Sequence, residues 1–356
     1  LLADLSLALD LSPGPLGLAL FVGAAASILA MATLGWTADR LGRRIYLVVV
    51  TLVFGLGISG LAVTDGYAAL LATLVVLNSA TGLYDVGINA SAVDLEQATG
   101  QRFMPLLHAA FSGGAMVGAL GAGLLIQAGA DYRSVYLALL VPLVAVILAV
   151  AATRFPLIPT GEPSRGGAGE RGYRLTRHLP LLLVGAIATL GLLSEGEMEH
   201  WSGIYLRQTL GLPALFGGSG VAVFFGAMAA GRLGIAWAVR SFGNRRTLLA
   251  AGLFTAGGMG LALATREPAL VVCGFLVVGL ALSGVAPIAF SAAGDLAPER
   301  AGGAISVVTT LGYGGFLLGP VVVGGLAELL GLRLALGTIA VAGALIFILA
   351  SRLKVA

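Results

Sequence analysis

Eleven apolar runs, each long enough to cross a bilayer, constrain this chain more than any other feature of its sequence. They fall at 15–37, 45–64, 67–94, 106–129, 133–153, 179–206, 213–238, 247–265, 268–294, 302–327 and 331–351, bounded by charges, Pro or Gly. Barrel strands would be about ten residues long with strict alternation, and the runs show none. The pattern predicts an all-α polytopic membrane protein. Charged residues make up only 10% of the 356-residue chain, against about 25% in soluble domains. Mean hydropathy is +1.00. The 54 glycines suit helices that approach closely through small residues, because lipid supplies little hydrophobic drive between them. One cysteine, Cys273, excludes an intrachain disulfide. A net charge of +3 is too dispersed for a nucleic-acid surface. Three scattered histidines make no metal cluster, and no P-loop is present for ATP-driven pumping. No cofactor is expected.

Basic residues divide unevenly between the two sets of connections. Fifteen, from Arg40 to Lys354, fall on one side; only Arg133, Arg207, Arg266 and Arg333 fall on the other. The rich side is expected to be cytoplasmic, with the C-terminus there and the protein in the inner membrane. An odd number of spans then places residue 1 outside. Residues 1–12, broken by Asp4 and Asp10, read as an external connection, and a first span of a twelve-span protein is expected to precede them.

The stretch 154–178 carries three prolines, several glycines and mixed charges, and reads as a cytoplasmic linker. It separates a bundle over 1–153 from one over 179–356. The halves resemble each other at an offset of 201 residues. Trp36 meets Trp237, Gly42 meets Gly243, Gly17 meets Gly218 and Asp94 meets Asp295. A duplicated bundle around a central linker is a layout of secondary transporters.

The segment Gly35-x-x-x-Asp39-Arg40-x-Gly42-Arg43-Arg44, between two spans on the Arg-rich side, resembles the signature loop of the major facilitator superfamily. In that family it joins the second and third of twelve spans. A finer resemblance, to the fucose-permease-like branch, rests on Gly82-Leu-Tyr-Asp85-Val-Gly-Ile-Asn89, Glu195-Gly-x-Met-x-x-Trp201-Ser-x-x-Tyr205 and Thr309-Thr310-Leu-Gly-Tyr313. It implies alternating access between two bundles, and proton coupling through an acid in the 67–94 span.

Asp85 lies deep in that span, about 14 Å along the helix from Asp94. A carboxyl at that depth needs a cavity, a partner or a proton, which suits a group that loads and releases protons. Asn89 is one turn on. Glu195 lies about 22 Å into its span and is the second proton-coupling candidate. Glu199, Trp201, Thr309, Thr310 and Tyr313, with Asn89, are candidate solute contacts. An interhelical packing role for Asp85 and an interfacial belt for Tyr205 are the plainer alternatives. Gly35, Asp39, Arg40, Gly42, Arg43, Arg44 and Asp94 are expected to gate. Asp39 would meet the amides at the start of the 302–327 helix, Arg43 or Arg44 would pair with Asp94 or Glu96, and Gly42 would turn tightly. Gly114-x-x-x-Gly118 and Gly315-x-x-x-Gly319 are expected between the bundles. Pro287 is expected to break its span. His108 reads as a packing residue, and Arg232 as one that snorkels or binds an anion. The expected function is a monomeric proton-coupled symporter of a sugar or similar polar metabolite, with an efflux antiporter as runner-up. An intramembrane enzyme would need a clustered catalytic set at membrane depth, which the sequence lacks.

Overall fold

The apolar runs become helical, because backbone polar groups in hydrocarbon must be satisfied within their own segment. The computed structural model describes residues 1–101, 104–153, 155, 179–297 and 301–353. The linker 154–178, apart from Phe155, and the side chain of His108 lie outside the described residues. The first half holds α1 (Leu2–Ala8), α2 (Pro13–Leu34), α3 (Thr37–Leu41), α4 (Arg43–Val63), α5 (Tyr67–Thr99), α6 (Met104–Gln127), α7 (Tyr132–Ala138) and α8 (Leu140–Ala152). The second holds α9 (Leu179–Ile204), a π-helical turn (Tyr205–Thr209), α10 (Ala214–Ala264), α11 (Pro268–Leu282), α12 (Val285–Leu296), α13 (Ala301–Leu330), α14 (Leu332–Ala335) and α15 (Gly337–Arg352).

As a straight rod, the 51 residues of α10 would measure about 76 Å, more than twice a hydrocarbon core. Gly243, at φ 79° and ψ 162°, divides it into two arms. Gly42, its partner in the repeat, sits at φ 76° and ψ 146° between α3 and α4. Only glycine adopts that conformation readily. With α10 counted as two, eleven membrane-spanning segments stand among the described residues. The Pro268–Leu296 span is broken between α11 and α12, at Ser283–Gly284. Pro287 has no N–H to donate to the Ser283 carbonyl, so the expected break occurs one turn before the proline.

In the first half α5 packs on α2 and α4, and α4 packs on α7 and α8. In the second, α9 packs on α13 and α15, and α10 on α11 and α15. The halves meet along α2–α13 and α6–α10. Both contacts use the same geometry. A Cβ on Gly17 would lie 2.5 Å from the Pro320 carbonyl oxygen, and one on Gly324 would lie 2.6 Å from that of Pro13. In the other pair a Cβ on Gly218 would strike the Ala119 carbonyl, and one on Gly123 would lie 3.2 Å from that of Ala214. Each residue of the second set matches one of the first at the 201-residue offset, so the two interfaces are pseudo-symmetric copies.

These contacts gather at the Arg-poor end. Polar links join the halves there as well: Arg207 to Asp4 at 2.5 Å, Gln208 to Ser6 at 2.8 Å and to the Ala3 carbonyl at 3.1 Å, and the Gly14 amide to Glu328 at 2.8 Å. Toward the Arg-rich end Gly113, Gly114, Gly303 and Gly314 face open space. The molecule is closed at its Arg-poor end and open at its Arg-rich end.

The Gly-x-x-x-Gly expectations are corrected. Gly315 and Gly319 seat α13 against Thr189 and Leu193 of α9, within the second half, and Gly114 and Gly118 face open space. Of the glycines that do join the halves, Gly123 and Gly324 lie nearer the Arg-poor end of these two helices, and Gly17 and Gly218 lie on α2 and α10.

Candidate functional site

The polar groups at membrane depth converge where the halves meet. Asp85 stands exposed on α5, and Asn89 one turn on donates to its Oδ1 and to its carbonyl, both at 2.9 Å. Glu195 projects from α9. Arg232, on the first arm of α10, donates through Nη2 to Glu195 Oε1 at 3.3 Å and through Nη1 to Ser112 Oγ at 2.9 Å. Ser112 is fully buried on α6, so this link joins the first half to the second. The Arg232 and Glu195 side chains are only 26% and 14% exposed. Tyr313 of α13 is half exposed and feels the charges of Asp85, Glu195 and Arg232. Arg232 therefore does not snorkel. An intramembrane cation is cheapest beside an intramembrane acid, and Glu195 supplies one; that pairing was the available signal. Nothing in the sequence pointed to Ser112.

Glu199 and His200 line a cavity of about 550 Å³ beside α6, with Asp4 and Arg207 at its Arg-poor rim. His200 Nδ1 lies 2.7 Å from the Gly196 carbonyl. Thr309 is half-buried on α13, while Thr310 is exposed and donates to the Ser306 carbonyl at 2.8 Å. Trp201 is a correction. It has no exposed surface and belongs to the main buried core, as does Tyr205, whose ring packs 6.4 Å from Phe275 of α11. On a helix apolar on every side, the pattern does not reveal which face meets the cavity.

Glu197, on another face of α9, is also fully buried. Its Oε2 accepts from Thr338 Oγ1 of α15 at 2.9 Å, and Oε1 has no partner among the described residues. Thr338→Val removes that one partner. A buried acceptor left unpaired costs roughly 1–3 kcal/mol, so the variant is expected to lose monodispersity at a lower temperature than the parent, measured by size-exclusion after heating in detergent.

At the signature loop Arg43 bridges two acids: Nη1 to Asp39 Oδ1 at 2.6 Å and Nε to Asp94 Oδ2 at 2.7 Å. The expected Arg43–Asp94 pair is present. Asp39 is tied to Arg43 on α4 rather than to the start of α13, from which the opening of the Arg-rich end separates it. Arg40 stacks over Trp36 at 5.5 Å, and Arg44 is exposed. Gly35 ends α2, where an added Cβ would clash with the Met31 carbonyl and lie 3.8 Å from Val86 of α5. The second copy has Arg240 in place of Asp39 and Asn244 in place of Arg43, and forms no such ion pair among the described residues.

The family model "Major Facilitator Superfamily" matches residues 1–265 and 205–355. An uncharacterised MFS-type transporter of Yersinia pestis is 32% identical over 93% of this chain and 85% of its own length. Membrane protein MosC of Rhizobium meliloti is 28% identical over 93% and 79%. Among solved structures, a mutant of the nucleoside transporter NupG superposes with a TM-score of 0.78 at 14% identity, covering 99% of this chain and 93% of that one.

Proposed function

The chain belongs to the Major Facilitator Superfamily and is a membrane transporter, and on that premise we propose that it moves a small polar solute, a sugar or related metabolite, by proton-coupled alternating access. The two bundles, 1–153 and 179–356, rock about the seam formed by α2–α13 and α6–α10. The Arg-rich end faces the cytoplasm of a cell with an inner membrane, so the conformation described is inward-open.

One observation carries the coupling: Arg232 joins Glu195 of its own half to Ser112 of the other. With Glu195 charged, the guanidinium is neutralised and the bridge is held. A proton on Glu195 removes the charge that holds Arg232, and the halves gain freedom to part. Asp85 and Asn89 face Tyr313 across the same opening. They offer a carboxyl, an amide and a phenol, which suit hydroxyl groups of a solute. Arg43, with Asp39 and Asp94, ties the loop to α5 while the cytoplasmic side is open.

The test is proton exchange in weakly buffered detergent as a panel of sugars and polyols is added to the purified protein. A solute-dependent pH change is expected in the parent and absent in Asp85→Asn. Solute binding with no pH change in either protein sinks proton coupling through Asp85 and leaves facilitated transport.

A further inference from the structure

The second copy of the signature loop forms no ion pair like that of the first among the described residues, and it borders a cleft of about 490 Å³ between the two arms of α10 and α11. The cleft is lined almost wholly by apolar groups, among them Trp237, Phe254, Val277, Leu280 and Ile288. Trp237 and Phe254 remain 61% and 57% exposed, and Gly234 in its wall faces open space. In a membrane protein such a cleft on the outer surface of a bundle meets acyl chains. At its Arg-rich mouth stand Arg240, two residues after the lining Ala238, and Arg245 and Arg246, just before the lining Thr247. All three are exposed. Arg245 donates to the Ser351 carbonyl at 2.9 Å; Arg240 and Arg246 have no hydrogen bond or ion pair among the described residues.

The geometry points to a binding site for an anionic phospholipid, with one acyl chain in the cleft and the headgroup phosphate on Arg240 and Arg246. The occupant is fixed by charge and phase together: the wall is apolar, the mouth is cationic, and both lie at one end of the spans. Arginine binds phosphate through paired N–H groups. The first half supplies the contrast. There the residue matching Arg240 is Asp39, Asn244 is replaced by Arg43, and Arg43 is already held by two acids. This reading does not depend on which solute is carried, or on whether protons are.

The test uses the full chain in phosphatidylcholine nanodiscs, with Trp36→Phe so that Trp237 is the lipid-facing indole; Trp201 is buried and adds a constant background. Chain-brominated phosphatidylglycerol or chain-brominated phosphatidylcholine is titrated in as a quencher. One arginine at an anionic surface is worth roughly a fivefold change in partition. With two arginines at the mouth, half-maximal quenching is therefore expected at a roughly 25-fold lower fraction of the anionic lipid. Arg240→Gln with Arg246→Gln is expected to erase that preference, and Gly234→Leu, which fills open space, to weaken quenching by both lipids. Equal quenching by the two lipids in the parent overturns the site. So does a preference that survives the double substitution, or one equally strong at Trp36 in a Trp237→Phe protein. Unchanged quenching in Gly234→Leu overturns the cleft as the seat.

Discussion

Arg232→Gln is expected to lower solute transport at least a hundredfold in proteoliposomes. The variant removes a charged group that touches both halves at membrane depth, Glu195 on one side and Ser112 on the other. It leaves Glu195 with a charge and no cation beside it. Breaking a buried ion pair from one side costs about 3–5 kcal/mol, so thermal stability in detergent should fall as well. The second substitution separates the two effects. Glu195→Gln in the Arg232→Gln background relieves the stranded charge, and stability is expected to return toward the parent. Transport is not, because neither the proposed proton site nor the bridge has been restored. A double variant that transports at the parent rate would show the pair to be a packing device. A double variant stable but inactive places the pair in the transport cycle.

The sequence was most informative where the bilayer dictates the answer. Span lengths follow from hydrocarbon thickness, so 45–64 became Arg43–Val63 and 331–351 became Leu332–Arg352 within a few residues. The turn at Gly42 was readable because a positive φ singles out glycine, and Gly243, its match at the repeat offset, turns the same way. The 51-residue α10 shows why that offset mattered. Continuous helical hydrogen bonding disguises two spans as one, while the sequence, with charges at Arg240, Arg245 and Arg246, divides them.

Facing was not readable. Trp201 and Glu195 lie on the same span, less than two turns apart, yet one is in the core and the other at the seam. A helix apolar all round carries no stripe from which to orient it. The glycines failed for a related reason. Among 54, composition cannot tell the few that meet backbone from those in open space. The usable signal was joint repetition: Gly17 and Gly123 recur as Gly218 and Gly324 at the one offset that also relates the signature loops.

That repetition carries the last prediction. Gly17→Val combined with Gly218→Val is expected to move the protein out of the conformation closed at its Arg-poor end. A Cβ at Gly17 would sit 2.5 Å from the Pro320 carbonyl oxygen, a separation that backbone on both sides cannot absorb. The Gly218 contact with Ala119 is at least as tight. Forcing side-chain atoms into such contacts costs about 1–3 kcal/mol each. The two sites share no partners, so the costs should nearly add. Several kcal/mol is enough to invert a two-state equilibrium that favours one form by tenfold or a hundredfold. The cost vanishes once the Arg-poor ends separate, so the strain acts on one conformation only. Spin labels on exposed Asp131 of the first half and Arg266 of the second, in a Cys273→Ser background, read the separation of those ends. A shift of the distance distribution to longer values is expected in the double variant. Gly113→Val, placed where a Cβ meets nothing within 4 Å, is expected to leave the distribution where it was. A double variant indistinguishable from that control would mean that the glycine pairs are not what holds the Arg-poor end shut, and the polar links at Asp4 and Glu328 would then have to bear it.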